Sequence, residues 1–401
     1  MKISSEKISQ FKKFIIDYVL ILLVSLIIGV LCGVIGALFV KIINFVTELR
    51  SENIWLVYLL PLGGIFTVIL YKLTHNEGVG TLKVLESARG ETRISVLLLP
   101  IIFISTVITH LFGGSAGKEG AALQIGGAIS EAVSKITRAD NYKRTVYTVC
   151  GMAALFSAAF GTPFGACFFA LEVVFVKKII LKAAAPALVS SLIANVISVS
   201  LGVAPERFKI GFLPEFGFVI FGKTLLVSAV VAAVSMIFCY LLHGGEKVFE
   251  KLLKNPFARI IAGGCAVIIL TLIFGTDYNG GGLGIIEHIF EDGVVKSESF
   301  LLKIIFTVIT VSSGFRGGEI VPSLFIGSTL GATLAQLSGL PVGYSAALGM
   351  TAFFSGVTNC PIAAAVIGIE LFGAEGFIFF AVGSLIARVV SGKISLYNKK
   401  I

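Results

Sequence analysis

The sequence predicts an all-α integral membrane protein made of two repeated halves. Of its 401 residues, 56% are hydrophobic and only 14% charged, against about a quarter charged in soluble domains. Apolar runs recur at 14–46, 54–71, 96–112, 183–201, 219–242 and 260–274, and several reach the roughly 20 residues that a helical span needs. A motif-bearing segment also returns further along the chain, as set out below.

Residues 1–13 are polar and basic. The apolar run that follows is too long for the core of a signal peptide, so an uncleaved first helix is expected. Basic residues cluster at 2–13, 135–144, 177–182, 247–259 and 393–400. Such a bias marks cytoplasmic connections and a multi-pass protein of the cell membrane. It accounts for the net charge of +9 without nucleic acid, since no aromatic-basic face accompanies it.

The cysteines (Cys32, Cys150, Cys167, Cys239, Cys265, Cys360) lie in apolar segments at no metal-ligand spacing and read as small buried hydrophobes. His75, His110, His243 and His288 do not group, so no metal or cofactor is expected. A phosphate-binding glycine loop is absent, which argues against a nucleotide partner. Neither a His-Glu-x-x-His helix nor paired intramembrane aspartates occur, which argues against an intramembrane enzyme.

The repeat is direct. Residues 151–173 read GMAALFSAAFGTPFGACFFALEV and 349–371 read GMTAFFSGVTNCPIAAAVIGIEL. They share Gly-Met, Phe-Ser, a helix-breaking proline (Pro163, Pro361) and a glutamate in apolar surroundings (Glu172, Glu370). Upstream, GGSAGKEGA at 113–121 sits opposite SGFRGGEIV at 313–321, which sets Glu119 against Glu319. Transporters are commonly built from such repeats around a site near the midplane. The expected halves are 14–205 and 206–392, followed by a short cytoplasmic end, 393–401, with no cytosolic regulatory domain. Segments 119–136, 162–176, 320–337 and 361–372 read as too short or too glycine-broken to span fully. Half-spanning helices aim their positive N-terminal ends into the membrane interior.

Within that frame, Gly117-Lys118-Glu119-Gly120-Ala121 sets a carboxylate among glycines at bilayer depth. A charge there costs a few kcal/mol or more and marks function by default. Free N–H groups at a broken helix bind anions, and a carboxylate beside them competes for the same place. That combination describes a gated anion site.

With these residues assembled, the chain resembles the CLC family of chloride channels and proton-coupled anion exchangers, over essentially its whole length. The family's first motif, Gly-Ser-Gly-Ile-Pro, stands here as Gly78-Val79-Gly80-Thr81-Leu82. Its second, Gly-Lys/Arg-Glu-Gly-Pro, is 117–121 with Ala121 replacing proline. Its third, Gly-X-Phe-X-Pro, is Gly318-Glu319-Ile320-Val321-Pro322, and its late tyrosine is Tyr397. The resemblance implies a CLC-type inverted-repeat fold with full and half-spanning helices, in a homodimer with one path per subunit. It also implies that Glu119 is the gate, filling an anion site when ionised and swinging out when protonated. Amides of Gly120, Ile320 and Val321 would hold the anion, with Val79, Gly80 and Lys118 around it and the Tyr397 hydroxyl below. Taken alone, Tyr397 beside a basic terminus also suits an interfacial belt. Lys118 is expected to pair with a carboxylate, and Glu172 and Glu370 to be buried, protonated carboxyls bonded to backbone.

The departures from the family pattern are informative. Val79 replaces a serine hydroxyl and cannot donate a hydrogen bond. Val173 stands where many exchangers carry an inner proton-bearing glutamate, and Glu319 adds an acid inside the third motif. Together these resemble the fluoride–proton exchanging branch, although that branch often has Met or Asn in the first motif and Thr before the proline, where Val79 and Val321 stand here. The expected function is proton-coupled halide antiport, with halide, protons and the lipid bilayer as partners. The alternative is a passive, voltage- or pH-gated chloride channel of the same fold.

Overall fold

The computed structural model describes residues 5–174, 180–215 and 217–398. Parts of three basic clusters (2–4, 177–179 and 399–400) and the end of the 162–176 segment lie outside the described residues. Helix dominates, and among the described residues the single β contact is an antiparallel bridge between Gly117 and Gly318.

The first eight helices are α1 (Ser5–Glu52), α2 (Leu60–Leu73), α3 (Thr81–Ala88), α4 (Leu98–Leu111), α5 (Glu119–Ile136), α6 (Asn141–Phe160), α7 (Pro163–Val174) and α8 (Ile180–Ser200). The second eight follow in the same order of long and short: α9 (Phe218–Leu252), α10 (Pro256–Phe274), α11 (Leu283–Asp292), α12 (Ser299–Ser312), α13 (Ile320–Ser338), α14 (Val342–Thr358), α15 (Pro361–Phe372) and α16 (Phe377–Ser391). Each helix of the first set has a counterpart in the second, and α7 and α15 are both 12 residues long.

Seven helical stretches are long and apolar enough to cross a membrane, among the described residues: Ile15–Glu52, Ile54–Leu73, Lys182–Ser200, Phe218–Leu252, Pro256–Phe274, Ile320–Ser338 and Ala374–Ser391. This corrects two expectations. The apolar run at 96–112 yields only the 14-residue α4. Conversely α13, at 19 residues, is not short, whereas α5, with 18, is not among these stretches. What marks these two is where they start, not their length. Cys265 is the other correction: it is exposed, whereas the remaining cysteines are buried.

α6 and α14 run through the interior, buried along nearly their whole length. Their sequences permit it because small residues let backbones touch. A Cβ on Gly126 of α5 would lie 2.0 Å from the Gly151 carbonyl of α6. A Cβ on Gly349 of α14 would lie 2.2 Å from the Gly327 carbonyl of α13. Close backbone approach at small residues is how membrane helices pack when water supplies no drive between them.

α7 and α15 lie against each other and cap one another. Both start at a proline, which suits the first turn because its missing N–H has no partner there. The Glu172 carboxyl near the end of α7 accepts from the amides of Ile362 (3.3 Å) and Ala363 (2.7 Å). The Glu370 carboxyl near the end of α15 accepts from Phe164 (3.1 Å) and Gly165 (2.7 Å). Both carboxyls are partly exposed rather than buried, and their partners are backbone groups. The reciprocity requires the two helices to run antiparallel, as inverted repeats do.

Candidate anion site

The bridge fixes the centre of the molecule. Gly117 N–H donates to the Gly318 carbonyl at 2.7 Å and Gly318 N–H returns to Gly117 at 2.7 Å. Two residues bonded reciprocally across an antiparallel pair are equivalent under the pseudo-two-fold axis. The equivalence therefore sets Lys118 against Glu319 and Glu119 against Ile320. The ungapped alignment that opposed Glu119 to Glu319 is out by one residue, because it was anchored on glutamates rather than on backbone. Helix starts agree: Lys118 is the N-cap of α5 and Glu319 that of α13.

Only glycine allows this meeting. A Cβ on Gly120 would lie 2.6 Å from the Gly318 Cα, and one on Gly318 would lie 2.3 Å from the Gly120 nitrogen. The first amides of an α-helix have no intrahelical acceptor, and neither α5 nor α13 has a side-chain cap. Here the contrast with α7 and α15 matters. Those N-termini are filled by carboxylates, whereas the two at the centre are left open, including the amides of Gly120, Ile320 and Val321. Ile320 and Val321 are 0% and 1% exposed.

Glu119 opens α5 and is 0% exposed. Neither of its carboxyl oxygens has a hydrogen-bond partner among the described residues. A buried polar atom without a partner costs about 1–3 kcal/mol, more if charged, so such a residue is held there for what it does. It sits at the floor of a cavity of about 770 Å³. The walls include Lys41 and Arg50 of α1, Glu206 of the segment joining the halves, and Glu287 of α11. Lys118 pairs with Glu206 at 3.4 Å. The last turn of α1 lines this vestibule.

The opposite side holds the remaining motif residues. A Cβ on Gly120 would meet the Glu319 carboxyl at 3.5 Å, so that acid lies against the first turn of α5. Tyr397 is 8% exposed, its ring 6.4 Å from that of Phe169 and its hydroxyl unpartnered among the described residues. It is therefore a core residue within electrostatic range of Glu319, and not an interfacial tyrosine. Val79 is buried and Gly80 is the N-cap of α3. The Arg316 guanidinium donates to the Val79 carbonyl at 3.3 Å and lies 4.3 Å from the centre of the Tyr71 ring. It ties the first motif to the third. Val173 is buried, and its carbonyl accepts from Arg89 at 3.2 Å. No acid stands at that position to carry a proton.

Sequence reasoning passed over Glu206, Arg316, Arg50 and Lys303. Lys303 is fully buried and donates to the carbonyls of Tyr278 (3.0 Å) and Gly280 (2.7 Å). Arg50 donates to the His110 carbonyl. A lone lysine inside an apolar run, as at 303, was the available signal. Glu206 had none, because it sits 88 residues from Lys118 in a linker without a motif.

Two open helix N-termini meeting at the centre, a buried carboxyl beside them and a vestibule that reaches it define an ion-transport protein. The voltage gated chloride channel family model matches residues 63–392, and the chain belongs to that family of multi-pass membrane proteins. It is 30% identical over 386 residues to the chloride/fluoride channel protein of Pseudomonas syringae pv. tomato, covering 92% of this chain and 84% of that one. It is 25% identical over 401 residues to the H(+)/Cl(-) exchange transporter ClcA of Vibrio cholerae, covering 88% and 81%. Among solved structures it is similar to a CLC-type fluoride/proton antiporter, with TM-score 0.90 and 32% identity over 99% of this chain and 98% of that one. These relatives are transport proteins and not enzymes.

Proposed function

We propose that this protein is a proton-coupled halide antiporter that takes fluoride in preference to chloride, with Glu119 as its gate. The observation that carries this is the pair of uncapped helix N-termini meeting beside a buried carboxyl whose oxygens have no partner. An anion and the ionised Glu119 side chain suit the same amides, so each displaces the other. A displaced carboxylate takes up a proton, which links the two fluxes with no chemical reaction. Amides of Gly120, Ile320 and Val321 hold the ion, with Val79, Gly80 and Lys118 around it and the Tyr397 hydroxyl on the inner side. The amides and hydroxyl bind the ion without a fixed cation to trap it, since Lys118 is paired with Glu206. Glu319 supplies the inner proton step that Val173 cannot.

Fluoride is small and strongly hydrated, so a site that selects it replaces water with close donors. Val79 removes a hydroxyl that would suit chloride, and two relatives at 30% identity or more carry fluoride in their names. The protein acts as a homodimer with one path per subunit. The apolar outer face of α7 and α15 supports this, since it presents Phe164, Phe168 and Ile362 beside the partly exposed carboxyls Glu172 and Glu370. Acids facing lipid are costly, and a second subunit would cover them.

The test is flux from vesicles containing the purified protein. A fluoride gradient should drive protons uphill, and fluoride should outpace chloride. Halide flux without proton movement would make it a passive channel instead.

A further inference from the structure

We propose that Glu206 is the outer proton relay, passing protons between the vestibule and Glu119. This rests on the antiport reading and adds a residue to it.

Three of the carboxylates that line the vestibule follow one another in order of increasing exposure. Glu119 at the floor is 0% exposed, Glu206 has 17% of its side chain exposed, and Glu287 on α11 is open to solvent. Glu206 lies within electrostatic range of both the others. Its place is fixed by backbone. The Glu206 amide donates to the Phe160 carbonyl at 3.4 Å, and Arg207 donates to the carbonyls of Glu206 (2.6 Å) and Gly161 (3.1 Å). The linker is thereby pinned to the end of α6, directly over Lys118.

Lys118 contacts only one oxygen of Glu206, at 3.4 Å. The other oxygen has no hydrogen-bond partner among the described residues and is free to exchange with vestibule water. Lys118 also acts on Glu119. A single ammonium can neutralise one of these two carboxylates, and charge balance then leaves room for one proton to be held by either. The other charged or titratable groups around the relay are Glu287, Arg207, Lys41, Glu48, Arg50 and Asp277, with His110 and His288. The step is a simple transfer. Water gives a proton to the Glu206 carboxylate, and the proton then passes to the Glu119 carboxylate through water in the vestibule that both side chains line, one O–H bond breaking as the next forms, so that Glu206 returns to its ionised state. Release to the outside is the reverse.

The experiment measures fluoride-driven proton uptake by vesicles holding the full chain, across a range of outer pH. Glu206→Gln should slow uptake by about tenfold or more, the scale of losing a positioned acid–base group. Glu206→Asp should keep most of the rate, and a diffusible weak acid added outside should restore uptake to the Gln variant. An unchanged rate in Glu206→Gln would overturn the proposal. So would a slowed rate that neither aspartate nor external acid repairs, because Glu206 would then serve only to position Lys118. If the unmodified protein moves no protons against their gradient, the antiport reading fails with it. If it does move them and Glu206→Gln is unaffected, only the relay fails.

Discussion

Glu119 is fully buried and its carboxyl oxygens have no hydrogen-bond partner among the described residues, so as the proposed gate it has no protein hydrogen bond to break when an ion or a proton arrives. Substitution by Gln removes the proton-binding function while keeping the shape. Glu119→Gln should therefore abolish uphill proton movement on a fluoride gradient, and persistence of that movement would remove Glu119 from the mechanism. Val79 invites the opposite test. Adding a hydroxyl at the first motif supplies a donor worth about 1 kcal/mol, or several-fold. Val79→Ser should shift the ratio of chloride to fluoride efflux upward by that factor. Glu119 and Glu319 were legible as acids in glycine-rich, apolar surroundings, and Tyr397, in a basic terminal stretch, only through the family resemblance. Glu206 and Arg316 were not. Their roles come from backbone carried across tens of residues, and no periodicity or local composition encodes that.

Elements were legible to the extent that they are apolar and punctuated. The proline and glycine positions placed the starts of α5, α7 and α15 correctly, since a helix cannot run through those breaks. Length misled at α13, because a glycine-rich start is as compatible with a long helix as with a short one. The crossed caps were only half visible: the apolar-flanked glutamates could be seen, but not that each reaches into the other's helix. Removing one should leave two amides unsatisfied. Glu172→Ala and Glu370→Ala should each destabilise the fold by about 1–2 kcal/mol, read as a lower melting temperature in detergent. Equal melting of both variants and the parent would mean the caps contribute nothing. Glycine contacts offer a sharper contrast. Gly126→Ala drives a Cβ to 2.0 Å from the Gly151 carbonyl, an overpacking cost of about 1–3 kcal/mol or more. Gly222 in α9 has nothing within 4 Å of an added Cβ. Gly222→Ala should be neutral or stabilising by up to about 1 kcal/mol, so the pair of melting curves should diverge in opposite directions.

At the scale of the whole molecule, the fold was legible from its duplication and its charge bias, but the relative register of the halves was not. The register depends on which backbone atoms meet at the axis, and the residues there are glycines that any alignment can slide past. Its correction has a consequence for direction. Two antiparallel copies of one backbone make a passage that reads alike from either end, and by itself it would run equally well both ways. At the equivalent positions about the bridge this chain breaks the symmetry, setting Lys118 against Glu319 and Glu119 against Ile320, with Lys118 and Glu119 on the vestibule side. The two faces of the passage are therefore unlike: on one Lys118 is paired with Glu206 beside Glu119, and on the other Glu319 lies against the first turn of α5. In vesicles with a single protein orientation, mirrored gradients of equal size should give unequal turnover, with the faster direction set by which of Lys118 and Glu319 the anion meets first.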